Sequence, residues 1–137
     1  MQRAVRAAPA TALLRKYAFA ASLPGSHLTL RVVGAAESRW LNRSFRKRDY
    51  ATNVLSFSYG ARHGDVVLCH PVIRREAKAR RKSLAAHYAH LVIHGVLHLR
   101  GHDHLRKRDA VRMERMEIDI LRRLGFGDPY SEHATVK

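Results

Sequence analysis

A chain of 137 residues is long enough to bury one hydrophobic core, and a single domain over residues 1–137 is expected, with 1–9 and 131–137 as loosely ordered ends. Lys and Arg number 26 against 11 Asp and Glu, a formal net charge of +15, so the surface is drawn to polyanions, of which nucleic acid is the commonest large one in a cell. The one cysteine, Cys69, excludes a disulfide framework and a four-cysteine zinc site, and no apolar run is long enough to span a membrane, so a cytoplasmic location is expected.

The chain opens on a basic, alanine-rich stretch free of acidic residues. That composition resembles an organelle transit peptide, but Leu13, Leu14, Tyr17 and Ala21 recur at helical spacing, and a helix over about 10–22 is the better reading. Pro24 and Gly25 end it. HLTLRVVG, residues 27–34, alternates and is rich in β-branched residues, which predicts a strand. A helix is expected from Glu37 to Lys47, with Ser38, Trp40, Leu41 and Phe45 on its apolar side and a strongly basic end. Residues 52–59, TNVLSFSY, predict a second strand, ARHG a turn, and DVVLC, residues 65–69, a buried strand in which Cys69 is a buried thiol. Pro71 suits a first helical turn, and the helix that it opens carries Arg74, Arg75 and Lys78.

Ser83 is a plausible N-cap for the next helix, expected to run to Leu99. Ala86, Ala89, His90, Val92, Ile93, Val96 and Leu97 leave it few polar positions, so it should be central and buried. A last helix is expected over about 109–124, stopped by Gly125. The order of elements predicts an α+β domain: a small mixed sheet packed with helices around a central one.

The central helix ends in HGVLHLRGHDH, residues 94–104. His94 and His98 are four apart, so both imidazoles leave one helix face. Gly101 lets the chain turn, and His104 can swing back as a third ligand. Three neutral imidazoles leave one position of a tetrahedral Zn²⁺ open, the catalytic pattern. His102 or Asp103 could close the site as a fourth ligand, and Asp103 could instead orient an imidazole or cap the turn. The frame shares its histidines and its glycine with the zinc-protease helix, yet Gly95 stands where those enzymes need a glutamate base, which disfavours a peptidase. No further carboxylate stands out as a general base.

HGVLHLRGHDH resembles the signature of the YbeY family of metal-dependent endoribonucleases. ESRWLNRSFRKRDYATNVLSFSY, residues 37–59, looks like that family's LN-x-x-YR and TNVLSFP elements. GDVVLC, residues 64–69, is similar to its GDI-type strand, and MERMEIDILRRLGFGDPY, residues 113–130, to its last helix and tail. Several motifs in the right order cover about residues 27–130.

The resemblance implies an α+β fold with a central metal-bearing helix. It implies one Zn²⁺ held by His94, His98 and His104, and a functional arginine at Arg46, which together form the expected catalytic set. It implies cleavage of single-stranded RNA in rRNA maturation, at the 3′ end of 16S rRNA, and in ribosome quality control. The ribosome or small-subunit proteins are the implied partners. Arg46, Lys47, Arg48, Arg74, Arg75 and Lys78 offer a surface for phosphates. Aromatic residues make up only 7% of the chain, so recognition through the RNA backbone is expected rather than base stacking.

The chain departs from the pattern at His102, where the family has Tyr, at Phe45 in the YR element, and at Ala51 and Ser58, which replace prolines. It also has a short segment before GDVV and a basic run after His104. None of these touches His94, His98, His104 or Arg46. The alternative reading is a basic RNA- or ribosome-binding factor whose zinc is structural.

Overall fold

Val, Ile and Leu at alternating positions build two-faced strands, and the computed structural model bears that pattern out over the residues it describes: 2–3, 8–60, 62–103 and 105–131. Its strands are β1 (Gln2–Arg3), β2 (His27–Val33), β3 (Val54–Gly60) and β4 (His63–Cys69). Its helices are α1 (Thr11–Ala21), α2 (Ala35–Arg46), α3 (His70–Ala79), α4 (Leu84–Leu99) and α5 (Lys107–Arg123). The sheet order is β1-β2-β4-β3. β2 runs parallel to both β1 and β4, and β3 is antiparallel to β4, so the sheet is mixed, with β3 on an outer edge.

The two faces divide the core. Leu30, Val32, Val66 and Leu68 pack with α1, α4 and α5, where Leu14, Tyr17, Ile93, Leu97 and Leu121 are buried. Val33, Leu55, Val67 and Cys69 point the other way, against Leu41 of α2 and Val72 of α3. Cys69 is a buried free thiol, as its apolar neighbours suggest.

Helix α4 runs through the middle. Ser83 caps it by accepting from the Ala86 N–H at 3.0 Å. Every residue from His87 to Ile93 is buried, as are Gly95, Val96 and Leu97. Each fully buried Val, Ile or Leu here is worth about 1.5–3 kcal/mol of transfer free energy. The helix lies so close to the sheet at Gly95 that a Cβ there would stand 2.8 Å from Val66 Cγ1 and 3.0 Å from Ser56 Oγ. The position that lacks a protease glutamate is therefore also one with no room for any side chain. Gly101, at φ +95°, then lets the chain leave the helix.

Two expectations for α2 need correction. Trp40 and Phe45 stand 54% and 58% exposed rather than in the core. The inner side of α2 is Leu41 with two buried polar residues, Ser38 and Asn42. Ser38 donates to the Thr52 carbonyl at 2.9 Å and accepts from the Thr52 N–H at 3.0 Å, and Asn42 donates to the Tyr50 carbonyl at 2.9 Å. Arg39 grips Asp49 through two hydrogen bonds of 2.8 and 3.1 Å. These bonds tie the segment after α2 to the helix and deliver the chain to the start of β3. Among the described residues, no helix is long and apolar enough to cross a membrane.

Candidate metal centre and catalytic cavity

Along α4 the burial breaks at His94 and returns at Gly95, to break again at His98. One helical turn apart, the two rings face each other edge-on with centroids 4.7 Å apart. Both open into a cavity of about 730 Å³ at the outer edge of β3, which Thr52, Asn53, Ser56 and Ser58 also line. Arg46, from the last turn of α2, reaches the same cavity. Its guanidinium donates to the Ser56 carbonyl at 2.6 Å and lies 5.0 Å from the centre of the Phe57 ring. The edge strand leaves this carbonyl without a neighbouring strand, and the arginine takes the vacant place. Ser56 in turn donates to the Gly95 carbonyl at 2.9 Å, which couples β3 to the helix that carries the histidines. Arg46, His94 and His98 thus converge. His104 lies outside the described residues.

His94 is held from behind by a residue that the motif reading missed. Its Nδ1–H donates to the Glu117 carboxylate at 2.5 Å. Glu117 is fully buried, on α5. The Tyr130 hydroxyl donates to its other oxygen, and His90 Nε2 donates to the Tyr130 oxygen at 3.1 Å, 3.4 Å from the carboxylate. Burial alone would raise the carboxyl pKa, but the hydrogen bonds from His90, His94 and Tyr130 outweigh it and hold Glu117 down at about 2. Burial and the Glu117 hydrogen bond push the Tyr130 phenol well above its ordinary value. With Nδ1 committed as a donor, the lone pair of His94 lies on Nε2, the tautomer that a metal ligand needs. A signal for Glu117 did exist in the sequence. Met113, Glu117, Ile120 and Leu121 form the buried stripe of α5, and a carboxylate within an apolar stripe calls for a partner.

The donor atoms of His90, His94 and Glu117 lie within 4.8 Å of one another, and this largely buried group could hold a metal ion. The same three residues are already joined by hydrogen bonds, His94 to Glu117 directly and His90 through Tyr130, which suits them equally to holding His94 in place. Asp103, weighed earlier as an orienting carboxylate or a cap, accepts from the Leu105 N–H at 3.2 Å, the cap arrangement. Burial, with Arg100 and Arg112 nearby, lowers the His102 pKa. Lys47 and Arg48, at the end of α2, and Arg74, Arg75 and Lys78 on α3 are all exposed.

Residues 3–125 match the family model described as Endoribonuclease YbeY. The chain belongs to the YbeY family. Several curated members named Endoribonuclease YbeY are similar over most of their length. The one from Bordetella pertussis is 53% identical over 115 residues, covering 80% of this chain and 73% of that protein. Those from Nitrosomonas eutropha and Aromatoleum aromaticum are 50% and 47% identical, covering 89% and 96% of this chain and 89% and 90% of theirs. The solution structure of TM1509 from Thermotoga maritima shares the fold, with a TM-score of 0.60 at 21% identity, covering 96% of this chain and 99% of that one. The α+β architecture expected from the motifs is thus the observed one, and the YbeY signature lies at the end of α4, beside the cavity just described.

Proposed function

We propose that the chain is a zinc-dependent endoribonuclease that cuts single-stranded RNA, with His94, His98 and His104 as metal ligands and Arg46 as the phosphate-binding residue. The observation that carries this reading is the convergence of Arg46 with His94 and His98 on one cavity, from helices far apart in sequence. The donor chemistry fits a metal: two imidazoles one helical turn apart, one of them fixed in its tautomer by a buried carboxylate. A zinc ion bound there would activate water at neutral pH, as nucleophile or as base for the RNA 2′-OH, and would serve as a Lewis acid for a phosphoryl oxygen.

The chain's own residues do the rest. Glu117 holds His94 in orientation and balances the charge gathered at the site. The Arg46 guanidinium exchanges the Ser56 carbonyl for phosphoryl oxygens, whose charge grows in the transition state. Ser56 and Ser58 lie along the path of the strand, and Lys47 and Arg48 extend the basic surface beyond Arg46. Water and the RNA 2′-OH remain alternative nucleophiles. The cellular task proposed is maturation of rRNA at the 16S 3′ end, with ribosome quality control, in the cytoplasm and together with the ribosome or small-subunit proteins. The basic surface and the family membership support it.

The test is to quantify bound metal and incubate the purified protein with labelled single-stranded and duplex RNA, beside His98→Ala and Arg46→Ala and with EDTA controls. About one zinc per chain is expected, with cleavage of single strands only. His98→Ala should lose metal and activity. Arg46→Ala should keep the metal and lose about a hundredfold or more in rate. Variants that bind zinc and cut RNA as well as the parent would overturn the assignment.

A further inference from the structure

Few aromatic residues occur in this chain, and the sequence scatters them, yet four gather on one patch. Leu55 and Phe57 alternate along β3 and leave the face opposite α4, and Tyr59, at the irregularity between Ser58 and Gly60, joins Phe57 there with its hydroxyl donating to Asp65 at 3.0 Å. Leu55 is covered by α2 and α3. Beside Phe57 and Tyr59, Trp40 and Phe45 of α2 line the open part of this face. Phe45 meets Trp40 and Phe57 edge-on, with centroids 6.2 and 5.5 Å apart. Trp40 and Tyr59 stand 54% and 64% exposed. Together with Arg46 and Asp65 these rings line a cavity of about 410 Å³, within the range of small-ligand sites.

Two features identify its occupant. Arg46 and Ser58 line this cavity and the histidine cavity as well, so the two meet around the outer edge of β3. Arg46 lines the patch, and Lys47 and Arg48 follow it directly along a chain of net charge +15. A polyanion that carries flat apolar groups matches both features, and its phosphates would fall on the arginine side while a base turns onto the rings.

We propose that Trp40 and Tyr59, floored by Phe57, form a base-stacking subsite for single-stranded RNA, which takes an unstacked nucleobase beside the phosphate received by Arg46. The proposal rests on the endoribonuclease reading and names how that site selects its substrate. Bases within a duplex are already stacked and paired, and cannot turn onto the rings. The expectation of recognition through the backbone alone, drawn from the low aromatic content, is replaced by one of backbone and base together. Composition counts rings but does not say where they meet.

Trp40 is the only tryptophan, so its emission reports stacking directly. The zinc-loaded protein is mixed rapidly with a single-stranded oligoribonucleotide, and with an abasic oligomer of equal length and charge. Fluorescence and anisotropy are read before cleavage. The base-bearing oligomer should quench Trp40, and the abasic one should bind without quenching. Trp40→Ala and Tyr59→Ala should each weaken binding of the base-bearing oligomer about tenfold and leave the abasic one unaffected, while Trp40→Phe recovers most of the loss. Equal quenching by both oligomers, or parental RNA affinity in both alanine variants, would overturn the subsite, and the latter is how a patch for a protein partner would behave. Cleavage is followed in the same samples. Parental cleavage with an unchanged KM in the variants sinks the subsite and spares the endoribonuclease reading. Base-dependent quenching without any cleavage does the reverse.

Discussion

Replacing Glu117 by Gln removes one charge and almost no volume from the site behind His94. The structure sets the scale of the effect. Glu117 is held at a pKa of about 2 against an ordinary 4.5, so its surroundings prefer the carboxylate to a neutral carboxyl by about 3 kcal/mol. Gln resembles the neutral form and adds a second problem. Glu117 accepts from His94, from Tyr130 and at longer range from His90, whereas an amide has only one accepting oxygen. One donor is then left facing another, and the neutral oxygen that remains holds the His94 Nδ1–H less firmly than a carboxylate does. Removing such a partner typically costs 10- to 100-fold in metal affinity or activity. E117Q is therefore expected to lose about 3 kcal/mol of stability in urea unfolding followed by circular dichroism. Its zinc affinity, measured by chelator competition, should fall at least tenfold, with cleavage falling in step. Zinc affinity and stability both within twofold and 0.5 kcal/mol of the parent would refute the role given to Glu117.

Gly95→Ala ought to raise helix propensity by about 1 kcal/mol, but its Cβ would meet Val66 Cγ1 at 2.8 Å in a packed core. Overpacking should win, for a net loss of about 1–2 kcal/mol in denaturant unfolding; a more stable variant would show that α4 can lift from the sheet without cost. A third prediction concerns pH. Burial lowers the pKa of His87, which donates through Nε2 to Glu76 at 2.9 Å. Glu76 is itself lowered, because hydrogen bonds from His87 and Asn53 outweigh the opposing effect of its burial. Between the ordinary histidine value of 6.5 and the lower folded one, the unfolded chain binds more protons at His87, so stability must fall as the pH drops through that window. Glu76 acts in the same direction further down, its contribution being lost as pH falls from 4.5 through its lowered value. Unfolding midpoints measured across pH 4–7.5 should fall less steeply below about 6.5 in His87→Gln than in the parent, and parallel profiles would rule out His87 as the source.

Local patterns reveal much of this protein because local physics governs those features. Ser83 reads as a cap and is one, the apolar circumference of α4 predicts a buried helix, the run 65–69 falls within β4, and the run 27–34 matches β2 except for Gly34. The four-residue spacing of His94 and His98 fixes their shared face before any fold is known. Burial on α2 was misread at Trp40 and Phe45, because the covered side of the helix is set by Ser38, Leu41 and Asn42, and residue type does not say which side meets the sheet.

What the sequence determined by itself was the elements from α1 onward, but not the short β1, together with the excess of positive charge and the histidine spacing, all properties of neighbours along the chain. The tertiary structure decided which distant residues meet. Packing of α2 against the sheet delivers Arg46 to the open edge of β3, opposite His94 and His98. Packing of α5 against α4 brings Glu117 onto His94 Nδ1, and the turn after α5 adds Tyr130. The packing of α2 leaves Trp40 and Tyr59 uncovered beside the same edge. Each of these pairings joins side chains through contacts between elements remote in sequence, and such contacts exist only once the core has closed.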